Sequence, residues 1–194
     1  EPISGIPMLQ GLLGRLSRSK LITQIIVATT IDPADQAIGS LVKWLGYECE
    51  FGSEKNILER FVSAATKYEA DVVVRITGDC PLVDPELVDQ VIDAFFANGA
   101  DYASNVAVAT FPDGMDVEVF SYSALIKSAD YANTDYDREH VTPRLRQKPF
   151  VNFSVENSED LSVLRWTVDV TEDLSVVRNI FDHFSPDLYF SWGK

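Results

Sequence analysis

Apolar positions along this chain fall into two alternating rhythms. Unbroken aliphatic runs, Ile25-Ile-Val-Ala-Thr29 and Val72-Val-Val-Arg-Ile76, predict strands, the second of the kind that is buried on both faces of a parallel sheet. Between them the spacing lengthens to three and four residues. Met8, Leu9, Leu12, Leu13 and Leu16 form one helical stripe, and Ile57, Leu58, Phe61, Val62, Ala65 and Tyr68 another. Leu87, Val88, Val91, Ile92, Phe95 and Phe96 form a third. Asp32-Pro33 and Asp84-Pro85 each place a capping carboxylate before a proline, which predicts helix starts there, the first helix running to about Leu45. With a short strand at Glu48–Phe51, the order up to Asn98 is a helix–strand alternation, the signature of a parallel sheet with helices on both faces.

After Gly99 the rhythm changes. Short strands are predicted at Asp101–Ser104, Asp116–Phe120, Phe150–Val155 and Arg165–Val168. Helices are predicted from Ser121 to about Ala132, over the charge-dense Asp135–Lys148 with a break near Pro143, and from Thr171 onward. No repeat, low-complexity tract or linker divides the 194 residues, so a single domain is expected.

Composition narrows the classes of partner. A net charge of −14 opposes a nucleic-acid polyanion, whose phosphates need clustered Lys and Arg, but leaves room for a nucleotide held by a metal and a few cations. No apolar run approaches the ~20 residues of a membrane span. Two cysteines, Cys49 and Cys80, form neither a disulfide framework nor a CxxC pair, so the expected location is the reducing cytoplasm.

The chemistry sits where strands end. Gly78 permits a sharp turn after the Val72 run, Asp79 follows it, and Pro81 bars further ladder pairing. Open α/β sheets place ligands at such carboxyl ends. Asp169 has the same setting: a strand, a few turn residues, then a helix. Each aspartate admits two readings. It caps its own turn, or the pair meets and holds a divalent cation, which removes the repulsion between two carboxylates in one crevice. Oxygen-only ligands with positions left for water and phosphate suit Mg²⁺ rather than zinc.

Four ordered motifs carry a resemblance over nearly the whole chain. They are Val73-Val-Arg-Ile-Thr-Gly-Asp-Cys-Pro-Leu-Val-Asp-Pro85, Phe111-Pro-Asp-Gly-Met-Asp-Val-Glu-Val-Phe120, Arg138-Glu-His-Val-Thr-Pro143 and Leu164-Arg-Trp-Thr-Val-Asp169. They resemble the cytidylyltransferases of the spore coat polysaccharide biosynthesis protein F type, relatives of CMP-KDO synthetases and acylneuraminate cytidylyltransferases. The resemblance implies a three-layer α/β/α sandwich of the nucleotide-diphospho-sugar transferase type, Rossmann-like, with a mixed, mostly parallel sheet. It implies Mg²⁺ held by Asp79 and Asp169 on the triphosphate of CTP, attack by a sugar hydroxyl on the α-phosphorus, and release of pyrophosphate. A homodimer is implied as well. Family members open with a strand and a Gly/Arg/Lys loop around the triphosphate. Residues 1–9 match the segment after that loop, so the chain as written is expected to be incomplete at its start and inactive on its own.

Further residues carry paired readings. Arg75, Thr77 and Asp79 alternate onto one side; Arg75 and Thr77, with Gly78, reach the nucleotide, or Arg75 is instead a buried ion-pair partner. Arg60 resembles a nucleotide-side position but also suits a solvated helix face. The resemblance makes Asp113, Asp116 and Glu118 the acceptor-sugar side, where the residues alone suit a solvent-facing strand edge, and it implies that Glu139 and His140 orient acceptor hydroxyls or dock a second subunit. Two rival functions remain: a nucleotide-sugar-dependent glycosyltransferase, although Gly78-Asp-Cys-Pro81 lacks the second aspartate of an Asp-x-Asp motif, and a catalytically silent assembly module of the same fold.

Overall fold

The computed structural model describes residues 1–193. A two-residue hairpin, β1 (Pro2–Ile3) with β2 (Ile6–Pro7), leads into α1 (Met8–Leu16). Next come β3 (Ile26–Thr30), a 3₁₀ turn at Pro33–Asp35, α2 (Gln36–Trp44), β4 (Glu48–Gly52) and α3 (Ile57–Lys67). The central stretch forms β5 (Val72–Arg75) and α4 (Pro85–Ala97). The second half holds β6 (Tyr102–Ser104), β7 (Glu118–Ser121), α5 (Tyr122–Tyr131), α6 (Asp135–His140), β8 (Asn152–Ser154) and α7 (Thr171–Phe184). The Asp32, Asn56, Asp84 and Ser121 side chains each cap a helix by accepting a backbone N–H of the following turn.

The strands make a mixed arrangement. β3 and β4 pair in parallel, and a four-stranded sheet runs β5-β7-β6-β8, antiparallel at its first two junctions and parallel at the last. Alternation along these strands feeds two cores, one on each face. Val72, Val74, Ala103 and Val119 join α1, α4 and α7 on one side. Val73, Tyr102 and Phe120 join α3, α5 and the segment after α6 on the other. That is the three-layer α/β/α sandwich.

The helix expected over Asp135–Lys148 stops at His140, and three further elements that shape the site differ from the pattern-based expectation. β5 is half-buried and its ladder partner is the antiparallel β7, so its apolar run reflects helices on both faces rather than parallel neighbours on both edges. β7 starts at Glu118 rather than Asp116, because the Asn105 side chain intervenes: its amide donates to Met115 O and its oxygen accepts from Val117 N, both at 2.8 Å. Among the described residues, Arg165–Val168 pairs with no strand beyond one isolated bridge of Arg165 to Asp113. Its backbone bonds go to loops, with Trp166 N donating to Asp113 O at 2.7 Å and Val168 N to Asp79 O at 2.8 Å.

Candidate functional site

Those loop contacts assemble the site. Val168 N–H, one residue before Asp169, donates to the Asp79 carbonyl, and Thr167 Oγ1 reaches the same oxygen at 3.3 Å. The turns bearing the two aspartates, 90 residues apart in sequence, therefore lie side by side. The loop carrying Asp113 and Asp116 closes over the same segment: Asp113 N donates to Leu164 O at 2.9 Å. Gly114 is required there, since its φ is +101° and a Cβ would stand 2.4 Å from Thr167 N.

Electrostatics divide the acidic groups into two sets. Asp79 is half-buried, and its carboxylate receives one weak contact, from Cys80 Sγ at 3.6 Å. Cys80 itself is buried and its thiol is pushed up to about 12, chiefly by desolvation, so it offers no thiolate. Asp116 is half-buried with no hydrogen-bond partner among the described residues. Burial first, then the charges of Asp113, Glu118 and Asp79, raise its carboxyl to about 6 despite Arg75. Asp113 and Asp169 are exposed and share Arg165, whose Nη1 donates to Asp113 at 2.9 Å and Nη2 to Asp169 at 2.6 Å. Arg165 also grips both oxygens of Asp173 at 3.0 Å, and these bonds hold the Asp173 carboxyl down at about 2.

Glu118 belongs to a different set. The sequence places it at the acceptor side or on a solvent-facing edge; its side chain is instead 2% exposed and fully engaged inside the molecule. It pairs with Arg75 and with Arg146 (2.7 Å), and accepts the Tyr102 and Thr142 hydroxyls at 2.6 and 2.7 Å. Desolvation would raise its pKa, yet the two guanidiniums and two hydroxyls hold it below the usual value. Glu118 therefore has no atom left for a sugar, because register opposite Arg75 turns it inward. Of the two readings of Arg75, the geometry selects the ion pair.

The remaining candidates lie elsewhere. Thr77 Oγ1 sits 3.1 Å from Cys80 Sγ inside the Asp79 turn, and Gly78 is exposed at its apex. Arg60 rests against Gly52 at the end of β4, where a Cβ would meet its Cγ at 2.5 Å, and its Nε is buried without a partner. Its contacts are thus with the β3–β4 unit, near Asp35, rather than with the aspartate group. Glu139 and His140 are exposed on α6, and the His140 ring packs at a tilt against Tyr136, centroids 4.3 Å apart. Sequence reasoning passed over Arg165, Arg146 and Asp173. Arg165 stands inside the last of the four motifs, four residues before Asp169 and eight before Asp173, a spacing that could have suggested it.

A divalent cation fits the donor set in a limited way. Asp79 and Asp169 each keep a carboxylate oxygen free of protein hydrogen bonds, on adjacent turns. Among the described residues no group of three or more His, Cys, Asp or Glu is placed to enclose a metal. Such a pair suits an ion whose other ligands are phosphate and water.

A mixed α/β/α sandwich with carboxylates gathered at strand ends defines a nucleotidyltransferase fold. The structure of CMP:2-keto-3-deoxy-manno-octonic acid synthetase complexed with CTP matches it with a TM-score of 0.73, over 95% of this chain and 91% of that one, at 17% identity. The chain belongs to the cytidylyltransferase family, whose model matches residues 1–177. It is similar to a cytidylyltransferase from Leptospira borgpetersenii serovar Hardjo-bovis, with a TM-score of 0.94 and 32% identity, covering 99% of this chain and 82% of that one. It is also 35% identical over 126 residues to the spore coat polysaccharide biosynthesis protein SpsF of Bacillus subtilis, a match covering 64% of this chain and 51% of that protein.

Proposed function

We propose that this protein transfers CMP from CTP to a hydroxyl of an acidic or otherwise modified sugar, releasing pyrophosphate, in a Mg²⁺-dependent reaction that supplies surface glycan assembly. One observation carries the reading: the Val168 N–H to Asp79 C=O bond sets Asp79 and Asp169 on adjoining turns at the carboxyl end of β5. The chemistry needs in-line placement of the sugar oxygen and α-phosphorus more than a strong base. When bound, the cation would neutralise phosphate charge and bridge the triphosphate to the protein. Asp79 and Asp169 would hold it, each through a free oxygen. Asp116, with no hydrogen-bond partner among the described residues and with its carboxyl raised to about 6, is suited to accept a bond from the incoming hydroxyl. Asp113, exposed at the rim, faces the acceptor; Glu139 and His140 on α6 meet either the acceptor or a second copy in a cytoplasmic homodimer.

The test is pyrophosphate release by the full-length protein across nucleoside triphosphates and a panel of sugars. CTP with Mg²⁺ is expected to be preferred. Asp79→Ala should lower turnover at least ~100-fold while leaving thermal unfolding nearly unchanged, since its carboxylate receives no strong bond. Full activity in that variant at saturating Mg²⁺ would refute the assignment, and sugar transfer from a nucleotide-sugar donor without pyrophosphate would point to a glycosyltransferase.

A further inference from the structure

Arg165 touches three carboxylates, and the three are held unequally. Asp173 is the fixed partner. It is 9% exposed, it takes Nε and Nη2 of Arg165 on its two oxygens, and it also accepts Asp169 N and Val170 N at 3.0 and 3.2 Å in the first turn of α7. The carboxylates of Asp113 and Asp169 are about half exposed, at 46% and 55%, and Arg165 supplies their protein hydrogen bonds. One edge of the guanidinium is thus anchored, while the other faces two open acidic side chains.

The backbone around Asp169 is secured without Arg165. Val168 N bonds Asp79 O, Trp166 N bonds Asp113 O, and Asp173 caps the turn through Asp169 N. What Arg165 adds is one positive charge shared by Asp113 and Asp169, on the turn that adjoins Asp79. We propose that Arg165 is the resident counter-cation of this centre: it neutralises Asp169 in the nucleotide-free protein, then lets go of Asp169, pivoting on its paired bonds to Asp173, when a divalent cation enters with the phosphates. This rests on the reading of Asp79 and Asp169 as metal ligands. Arg165 is a positioning residue that acts through Asp169.

The sign of its effect comes from charge. Without nucleotide, a divalent cation must displace the guanidinium and sit near it, so Arg165 weakens metal binding. With triphosphate present, the released guanidinium faces anionic oxygen, so Arg165 strengthens binding of the metal–nucleotide complex. A residue that only braces the fold would favour both states.

The experiment is calorimetric titration of the full-length protein with Mn²⁺, alone and then with CTP in the absence of sugar. Arg165→Met keeps the stem and removes the charge. It is expected to tighten Mn²⁺ binding about fivefold without nucleotide, the scale of one charge at high dielectric, and to weaken Mn²⁺–CTP binding by a similar factor. Arg165→Lys should restore both toward the wild type. Arg165→Gln, which retains a donor for Asp173, gives the same two signs and serves if the methionine variant does not fold. Mn²⁺ binding in the neutral variants no tighter than in the wild type, while Asp169→Asn abolishes it, overturns the counter-cation role and leaves the metal site standing. If Asp169→Asn binds Mn²⁺ as the wild type does, the metal reading itself falls, and this role with it.

Discussion

Two clusters of acids and arginines lie at one end of the four-stranded sheet, and they differ in what their charges are free to do. Around Glu118 the groups are closed. Two guanidiniums and two hydroxyls converge on one buried carboxylate, tying β5, β6 and β7 to the segment after α6. Around Asp79 and Asp169 the groups are open: Asp79 is half-buried and receives one weak contact, and Asp169 is exposed and paired with one partly exposed arginine. The same residue types thus serve as a fastening in one place and as a receptive surface in the other. Burial decides which, because a buried charge requires complete pairing whereas an exposed one retains freedom to exchange partners.

The sharpest way to break this contrast is Glu118→Ala. It leaves Arg75 facing no acceptor and strips the Tyr102 and Thr142 hydroxyls of theirs, so unfolding stability should drop by about 3–5 kcal/mol. Denaturant titration checks this, and a loss under 1 kcal/mol would show that water replaces the carboxylate there.

Asp116, on the boundary between the clusters, sharpens the comparison. Its folded pKa of about 6 lies above its ordinary 3.8. Below about pH 4 both states are protonated and the group is neutral to stability. Between pH 4 and 6 the unfolded chain ionises first, so stability falls as pH rises, and the penalty is complete above 6. Asp116→Asn should therefore stabilise the protein by about 2–3 kcal/mol at pH 7.5, with the gain vanishing near pH 4. Melting curves across that range decide it; a gain independent of pH would refute the shift.

The smallest effect belongs to the open cluster. Asp113→Asn removes an ion pair whose partners are both about half exposed, and the melting temperature should move by no more than ~2 °C. A larger change would mean that the Asp113–Arg165 contact, and not only the backbone bridge beside it, locks the two loops together.

Much of this was legible along the chain because it is local. Helix stripes and Asx caps depend on spacing within a few residues, and α1, α3, α4 and α7 appear where periodicity puts them. The turn at Asp79 could be read from Gly78 and Pro81 for the same reason. Strand bounds in the second half were less readable, since Asn105 ends the β7 ladder from twelve residues away in sequence and Arg165–Val168 finds its partners in loops.

The amino-acid order alone determined the alternating α/β plan, the caps and two strand-end aspartates, all properties of neighbouring residues. Which acids face inward depends on long-range packing instead. Glu118 and Asp116 are two positions apart, yet register against Arg75 turns one into the core knot, while the other has no hydrogen-bond partner among the described residues. That Asp169 shares its arginine with Asp113 and Asp173 was likewise settled by packing, because long-range pairing depends on where folded loops meet and no local pattern encodes it.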